Sequence, residues 1–270
     1  MAAGSVLCGS LSRWAVPLGA AMHNAGYRAL GLDWHYVPFE MTESGLPSAL
    51  SAMRVLGIRG LGVSMPFKLL VMSQLDRLDA NAAKIGAVNT IVNDDGELVG
   101  HNTDWLGATR ALEEVRAVAG ARVLVLGAGG AARAVAFGLL ERGASVCLSN
   151  RTDTRAVELA RELGTDVVAW EDRHRVEAFD VLVNASSLGM STVDPMSPVD
   201  ASALRSDLIV MDIVYKPLET ALIRAAKLQG ATTIDGGRML LHQAAAQFEL
   251  YTRGPAPLEA MNDALLAYVR

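Results

Sequence analysis

Residues 127–132, Gly-Ala-Gly-Gly-Ala-Ala, have the composition and spacing of a loop that binds a pyrophosphate. They follow an apolar run at 123–126 and precede a helical pattern at 131–141, which is the context this motif requires. Gly127 permits a tight turn, Gly129 lets backbone approach a phosphate, and Ala132 keeps helix and strand close. The helix N-terminus offers unpaired N–H groups to phosphate oxygens. The alternative is a glycine-rich turn that serves folding alone.

The end of the next strand indicates which dinucleotide such a loop takes. NAD sites usually place a carboxylate there, about 20 residues past the glycines, for the ribose 2′-hydroxyl. This chain has Asn150, Arg151, Thr152 and then Arg155 in that region. A guanidinium can donate two parallel hydrogen bonds to a 2′-phosphate, and an amide and a hydroxyl can complete its coordination. We therefore predict NADP, the alternative being ordinary solvated arginines whose attraction Asp153 weakens.

Three further segments place polar side chains next to strands or helices. Ser64 ends a predicted strand, and Lys68 falls on the first turn of a predicted helix, where a cation opposes the helix dipole. Asn89 stands at the start of a strand, and Asp104 precedes a helix. Asp104 could be only an N-cap, and Lys, Asn and Asp are common near the surface. Taken singly, each of these residues is better explained by structure than by chemistry.

Alternating strand and helix patterns predict the elements that position these residues. Strands are predicted at 6–8, 34–37, 60–63, 88–92, 123–126, 145–149, 166–169, 181–184, 208–212 and 232–234. Helices are predicted at 46–56, 66–75, 104–118, 131–141, 154–163, 218–228, 239–251 and 258–269. From residue 122 onward the strands are rich in Val, Leu and Ile, which predicts a parallel sheet covered on both faces. Boundaries near Trp105 and Gly237 divide the chain into a domain of residues 1–105 completed by 238–270, and a domain of residues 106–237.

Composition narrows the class of protein. The chain has 270 residues, of which 51% are hydrophobic and 20% charged, so it is long and apolar enough to fold around one or two cores. A net charge of −5 lacks the basic surplus used to bind polyanions, so we expect no nucleic-acid partner. The longest stretch without Asp, Glu, Lys or Arg has 14 residues, too short for a membrane span. The two cysteines stand in no metal or redox spacing, and no segment has the pattern of a secretory signal, so we expect no metal and a cytoplasmic location.

Together the motifs resemble the shikimate dehydrogenase family. The matching segments are Val-Ser-x-Pro-Phe-Lys (63–68), Gly-Ala-Val-Asn-Thr (86–90), Gly-x-Asn-Thr-Asp (100–104), Gly-Ala-Gly-Gly-Ala (127–131), Asn-Arg-Thr (150–152), Asn-Ala-Ser-x-x-Gly-Met (184–190), Asp-Ile-Val-Tyr-x-Pro (212–217) and Met-Leu-x-x-Gln (239–243). The resemblance implies NADPH-dependent reduction of 3-dehydroshikimate to shikimate, in the chorismate pathway of aromatic amino acid biosynthesis. It also implies an α/β fold, with an N-terminal substrate domain, a Rossmann-type doubly wound parallel-sheet NADP domain, and a site in the cleft between them.

The resemblance implies roles at matching positions. Lys68 would be the catalytic acid/base with Asp104 as its partner, and Ser64 and Asn89 would hold substrate hydroxyls. Tyr215 and Gln243 would close the site. The cofactor contacts would come from Gly127, Ala128, Gly129, Gly130, Ala131, Asn150, Arg151, Thr152, Arg155, Ala185, Ser186, Ile213 and Gly236.

The N-terminal segment departs from the family pattern. The family usually carries Ser-x-Ser-Pro-x-x-His-Asn, whose two hydroxyls bind the substrate carboxylate. Counted back from His23, Pro17 and Gly19 occupy the serine positions, whereas Ser10 and Ser12 lie seven residues earlier, in what the sequence suggests is a loop about two residues longer than usual. Whether this earlier pair binds the carboxylate is open at this point.

Two further departures concern the strand before Lys68 and bear on the substrate. Gly62 stands where the family often has Asn, and Ser64 where it has Thr. The sequence therefore looks closest to a shikimate dehydrogenase-like branch acting on shikimate or a related polyhydroxy cyclic carboxylate. One alternative is a quinate or aminoshikimate dehydrogenase, with NAD as the other candidate cofactor. A second is a catalytically weak NADP-binding regulatory protein, against which the retention of Lys68 and Asp104 argues. We expect a small-molecule substrate and either a monomer or a homodimer.

Overall fold

A computed structural model describes residues 4–190 and 194–269. Its strands are β1 Val6–Ser12, β2 Trp34–Glu40, β3 Gly60–Val63, β4 Arg77–Leu78, β5 Thr90–Asp94, β6 Glu97–His101, β7 Arg122–Leu126, β8 Ser145–Ser149, β9 Asp166–Val167, β10 Val181–Asn184, β11 Ile209–Asp212 and β12 Thr232–Ile234. Its α-helices are α1 Leu18–Ala29, α2 Leu46–Val55, α3 Phe67–Leu70, α4 Ala80–Ile85, α5 Asp104–Glu113, α6 Gly130–Glu141, α7 Asp153–Leu163, α8 Ala221–Leu228, α9 Gly236–Thr252 and α10 Leu258–Val269.

Internal contacts divide the described chain into two units. The first contains the residues up to Thr103 together with Gln243–Tyr268, and the second contains Asp104–His242. The first unit is therefore built from two separate stretches of sequence, and α9 contributes residues to both units.

The first unit contains a mixed sheet, ordered β2-β1-β3-β5-β6-β4 in the described residues. β1 runs parallel to β2 and β3, whereas β5 is antiparallel to β3 and β6. Side chains alternate between the two faces of a strand. On one face Leu11 and Leu61 join an apolar core with Phe67 and Ile91. On the other face Gly60 and Gly62 are in register with Cys8 and Ser10, and α9 covers this side.

Ser10 and Ser12 lie on β1 and not in a loop, so their predicted loop location is wrong. β1 extends to Ser12 because it is paired over seven residues with β2, and Ser10 is in register with Pro38 on one side and Gly62 on the other. The connection that follows β1 begins at residue 13 and leads to α1, whose N-cap is Pro17. The backbone pairing on both sides fixes the position of Ser10.

Several helix bounds also differ from the prediction, because local hydrogen bonds end the helices. The helix expected at 66–75 is limited to Phe67–Leu70, since the Lys68 carbonyl accepts from the Val88 N–H across the fold. The helix expected to reach residue 118 ends at Glu113, where the Leu112 carbonyl accepts from two N–H groups of the following turn. The helix expected at 218–228 begins at Ala221, because Thr220 caps it through the Ile223 N–H.

The second unit contains a parallel sheet, ordered β12-β11-β10-β7-β8-β9 in the described residues, as the sequence predicts. β7 pairs with β8 on one side and with β10 on the other. The carboxyl ends of β7, β8, β10 and β11 therefore meet at the same edge of this sheet. Val123, Val125, Val135 and Leu148 belong to the core that packs α6 against the sheet. None of the helices in residues 4–190 and 194–269 is long and apolar enough to cross a membrane.

Candidate functional site

The glycine loop lies between the end of β7 and the start of α6. Gly127 has a φ of 123°, and a Cβ there would lie 2.7 Å from the Ala185 carbonyl oxygen, so only glycine fits. At Gly129 and Gly130, by contrast, a Cβ would have no described protein atom within 4 Å. Gly129 is the N-cap of α6 and has no side chain to cap the helix N–H groups. The loop thus combines open space with backbone donors, which fits a pyrophosphate.

Residues at the ends of β10 and β11 stand beside this loop. Ala185 donates its N–H to the Leu126 carbonyl, and Ile213 donates to the Asn184 carbonyl. At Gly236 a Cβ would lie 2.4 Å from the Val214 carbonyl oxygen, so the start of α9 packs directly on the segment after β11. The structure therefore brings together the predicted cofactor residues Gly127, Ala128, Gly129, Gly130, Ala131, Ala185, Ser186, Ile213 and Gly236 along one edge of the second sheet.

Asn150, Arg151, Thr152 and Arg155 follow β8 at the same edge. The Asn150 side chain donates to the Thr152 carbonyl at 2.9 Å, and the Arg155 N–H donates to the same carbonyl at 3.1 Å. This closes a tight turn that leads into α7. The side chains of Arg151, Thr152 and Arg155 are exposed to solvent, so the two cations are accessible.

Asp212 is a buried carboxylate that holds this strand-end region together. It accepts from the Asn184 side chain at 2.9 Å, the Val214 N–H at 3.0 Å and the Thr220 hydroxyl at 2.7 Å. Asn184 also donates to the Leu188 carbonyl at 2.9 Å. Desolvation raises the pKa of Asp212 to about 6, although these hydrogen bonds favour its charged form. The network fixes the segments on which Ser186, Ile213 and Tyr215 are placed.

We expect replacement of Asp212 by Asn to change the pH dependence of stability. A folded-state pKa near 6 against 3.8 in the unfolded chain means that the folded protein binds more protons between these values. The contribution of Asp212 to stability should therefore fall as pH rises from 4 to 7, by roughly 2 to 3 kcal/mol, whereas Asp212→Asn should lack that component. Buried His23 contributes with the opposite sign in both proteins, so the difference between parent and variant is the quantity that reports Asp212. Denaturant unfolding at pH 4 and pH 7 measures this. A parent–variant difference that is the same at both pH values would contradict the assignment.

Asn89 is the centre of a polar cluster in the first unit. It is 2% exposed, and its Oδ1 accepts from the Thr103 N–H at 2.7 Å and from the Thr90 hydroxyl at 2.7 Å. Its Nδ2 donates to the Thr103 hydroxyl at 3.0 Å and to Gln243 Oε1 at 3.4 Å. Asn89 and Gln243, which the sequence predicts to lie at one site, are therefore in direct contact, and their role in binding stays a prediction. Thr103 belongs to this cluster but was not assigned a role from the sequence.

Lys68 and Ser64 flank the end of β3 in the first unit. Ser64 is exposed and Lys68 is half-buried on the short helix α3. The Lys68 carbonyl is bonded to the Val88 N–H at 2.9 Å, which anchors α3 one residue from Asn89. Asp104 and Tyr215 fall in the second unit, Asp104 as the buried first residue of α5 and Tyr215 as a half-buried residue after β11. The pairing of Lys68 with Asp104 stays a prediction.

The two early serines differ in their surroundings. Ser12 is 8% exposed and donates its hydroxyl to the Trp14 carbonyl at 2.8 Å. Ser10 lies beside the buried Tyr36 phenol and helps to lower its pKa, which burial raises. Gly19, at one of the usual serine positions, faces the same phenol, because a Cβ there would lie 3.9 Å from the Tyr36 oxygen. Ser10 and Ser12 are thus not arranged as two free hydroxyls, and Tyr36 is a neighbour that the sequence did not indicate.

Aromatic side chains support this corner of the first unit. The His23 ring stacks on Tyr36 with centroids 4.3 Å apart, and burial lowers the pKa of His23 to about 3, so the imidazole is neutral near pH 7. Asn24 exchanges two hydrogen bonds with the Tyr36 backbone, at 2.8 and 3.0 Å. His23 and Asn24 therefore hold β2 against α1. Within the described part of the chain, no group of three or more His, Cys, Asp or Glu side chains could hold a metal ion.

Comparison with known proteins decides the family. Family models match residues 16–91 as a shikimate dehydrogenase substrate binding domain, residues 109–217 as shikimate / quinate 5-dehydrogenase, and residues 236–266 as a shikimate 5'-dehydrogenase C-terminal domain. The chain is 42% identical over 258 residues to shikimate dehydrogenase (NADP(+)) of Methanothermobacter thermautotrophicus, covering 92% of this chain and 91% of the relative. The chain belongs to the shikimate dehydrogenase family.

Solved structures of the family have the same fold. A crystal structure of a shikimate dehydrogenase in complex with NADP+ superposes with a TM-score of 0.93 at 35% identity, covering 98% of this chain and 96% of that one. A quinate dehydrogenase from Corynebacterium glutamicum in complex with NAD gives a TM-score of 0.90 at 33% identity, covering 97% of this chain and 99% of that one. These matches confirm the predicted family and the α/β architecture with a Rossmann-type unit. They do not test the individual residue roles or the predicted shikimate dehydrogenase-like branch, which stay predictions.

Proposed function

We propose that this chain is an NADP-dependent oxidoreductase that interconverts 3-dehydroshikimate and shikimate. The observation that carries the proposal is the 42% identity, over 92% of the chain, to a protein named shikimate dehydrogenase (NADP(+)). Two features of the structure support it. The loop from Gly127 to Gly130 offers open space and helix N–H groups to a pyrophosphate, and the Asn89 cluster offers amide groups to a polyhydroxy substrate.

The residues of the second unit would hold NADP. The N–H groups at the start of α6 bind the pyrophosphate, while Arg151 and Arg155 donate to the 2′-phosphate. Bound NADPH supplies a hydride to the substrate carbonyl carbon. No carboxylate stands at Asn150–Thr152 to select a free ribose 2′-hydroxyl, which supports NADP over NAD.

The residues of the first unit would hold the substrate and move its proton. Reduction of a ketone turns the carbonyl oxygen into a hydroxyl, so a proton must be delivered to that oxygen. Lys68 is the donor in this proposal, and in the reverse direction the same amine accepts the proton. Asn89 and Ser64 orient the ring through its hydroxyls, and Gln243 extends this surface beside Asn89.

A second candidate function is a quinate dehydrogenase. This candidate is supported by the similarity of the chain to the quinate dehydrogenase structure from Corynebacterium glutamicum, with a TM-score of 0.90. Quinate and shikimate share the ring carboxylate and neighbouring hydroxyls, so the Asn89 cluster accepts either. Pro17, Gly19 and Gly62 are the positions at which this chain differs from the usual family sequence. They concern binding of the substrate, and the two candidate activities differ in their substrate.

Steady-state kinetics on a substrate and cofactor panel test the proposal. Shikimate, quinate and aminoshikimate are each oxidised with NADP and with NAD, and 3-dehydroshikimate is reduced with NADPH. The proposal requires the highest kcat/KM for the shikimate couple with NADP. A preference for quinate with NAD selects the second candidate. Binding of NADPH without turnover of any substrate identifies a regulatory protein.

The cofactor assignment predicts the effect of removing Arg151. Arg151→Ala should weaken NADP binding by roughly 10- to 150-fold and NAD binding far less, since a charge-assisted hydrogen bond contributes about 1.5 to 3 kcal/mol. Fluorescence titration with both cofactors measures the two losses. Arg161→Ala, which removes an exposed arginine from the last turn of α7, is the matched control. Equal losses of affinity for NADP and NAD would show that Arg151 does not bind the 2′-phosphate.

A further inference from the structure

The Gln247 side chain occupies the space above Gly62 in the first unit. Gln247 lies on α9 and is 5% exposed. A Cβ at Gly62 would be 3.4 and 3.5 Å from the two terminal atoms of the Gln247 amide, and 2.7 Å from the Tyr36 hydroxyl. Any side chain at position 62 would therefore displace one of these two groups. Because Gly62 has no side chain, the Gln247 amide from α9 can approach β3 at this position.

Gln247 is bonded to the backbone of Asn89 and to Thr90, one of the two residues that hold the Asn89 side chain in place. Its Nε2 donates to the Asn89 carbonyl at 3.1 Å and to the Thr90 hydroxyl oxygen at 3.0 Å. A hydroxyl has one proton, and because its oxygen accepts from Gln247, the Thr90 proton is free to point elsewhere. It points to Asn89 Oδ1, at 2.7 Å. Gln247 thereby occupies the acceptor side of the Thr90 oxygen and leaves the Thr90 proton for Asn89, the nearer of its two other polar neighbours.

This direction determines which end of the Asn89 amide faces its neighbours. Oδ1 accepts from both Thr90 and the Thr103 N–H, so the Asn89 Nδ2 must lie on the opposite side, toward Gln243. An amide with its two ends exchanged would place Nδ2 against two donors. Two donors therefore fix the orientation of Asn89: the Thr103 N–H, and the Thr90 hydroxyl that is itself held by Gln247.

We propose that Gln247 is a positioning residue for substrate binding, which packs over Gly62 and acts through Thr90 on Asn89. The inference rests on the proposed function, in which Asn89 holds a substrate hydroxyl. Gln247 does not touch substrate in this arrangement. Position 62 is where the family often has Asn, and in this chain an amide enters the same space from the helix.

Gln247→Met tests the inference, because methionine has a similar length without donors. The KM for shikimate should rise by on the order of tenfold, while kcat changes by less than about threefold and the KM for NADP is unchanged. Tyr251→Phe is the matched control, since Tyr251 lies one turn further along α9, is buried, and has a hydroxyl without a hydrogen-bond partner among the described residues. If Gln247→Met does not fold, Gln247→Ala is measured instead. A lower melting temperature with an unchanged KM overturns the inference.

A double-mutant cycle with Asn89→Ala separates this inference from the proposed function. If Gln247 acts through Asn89, then adding Gln247→Met to Asn89→Ala causes no further rise in KM. Additive effects would overturn the inference and leave the proposed function intact. If Asn89→Ala alone leaves the KM for shikimate unchanged, the substrate-binding role of Asn89 fails, and the proposed site fails with it.

Discussion

Lys68→Ala is expected to lower kcat by about 10² to 10⁴, the usual contribution of a positioned general acid or base. The alkoxide formed by hydride transfer must gain a proton, and the variant lacks the amine proposed to supply it. Binding of NADP should change little, because Lys68 lies in the first unit and the glycine loop in the second. Single-turnover reduction of 3-dehydroshikimate, followed by NADPH absorbance, measures the chemical step directly.

Lys84→Ala is the matched control for this experiment. Lys84 is an exposed lysine on α4 of the same unit, so its removal changes the charge of the unit equally. Full turnover of Lys68→Ala would show that the lysine has a structural role. A loss of the same size in Lys84→Ala would show that net charge, and not a positioned amine, is responsible.

Shikimate turnover is expected to be about 10²- to 10⁴-fold less efficient than in an enzyme with both usual serines. Two hydroxyls that donate to a carboxylate contribute about 1.5 to 3 kcal/mol each, and Pro17 and Gly19 supply neither. A kcat/KM for shikimate above about 10⁵ M⁻¹s⁻¹ would contradict the expectation.

Ser10→Ala and Ser12→Ala show whether the early pair replaces the missing donors. In the structure the Ser12 hydroxyl donates to the Trp14 carbonyl, and Ser10 lies beside the Tyr36 phenol. We therefore expect Ser12→Ala to leave the KM for shikimate unchanged. A large rise in KM in either variant would mean that the early serines bind the carboxylate.

The second unit could be predicted well from the sequence because its pattern is local. Strands such as Val181–Asn184 and Thr232–Ile234 are short apolar runs between turns, and their observed bounds agree with the prediction. The glycine loop is likewise a continuous segment whose chemistry follows from its residues. A parallel sheet with helical connections then follows from the alternation.

The first unit was predicted less completely because its key contacts are between distant residues. The Lys68–Val88 backbone hydrogen bond that ends α3 depends on β5 lying beside β3, which no local pattern shows. α1 was not predicted, although its buried face includes Tyr27. Gln247 is bonded to Asn89 across 158 positions of sequence, and only the packing of α9 on the sheet shows it.

The discontinuity of the first unit has a consequence for the order of folding during synthesis. Three contacts join the two stretches of the first unit. The Tyr251 ring packs against Gly60, the Phe248 ring packs against Gly26, and Arg59 donates to the Tyr251 carbonyl at 3.0 Å. Phe248 and Tyr251 leave the ribosome well after residues 4–103, because the whole of the second unit, Asp104–His242, is synthesised between them. Synthesis proceeds at about 5 to 20 residues per second, so the residues that cover the sheet of the first unit emerge many seconds after the sheet itself. The second unit can therefore fold before the first, whose sheet is covered only once residues 243–268 have emerged.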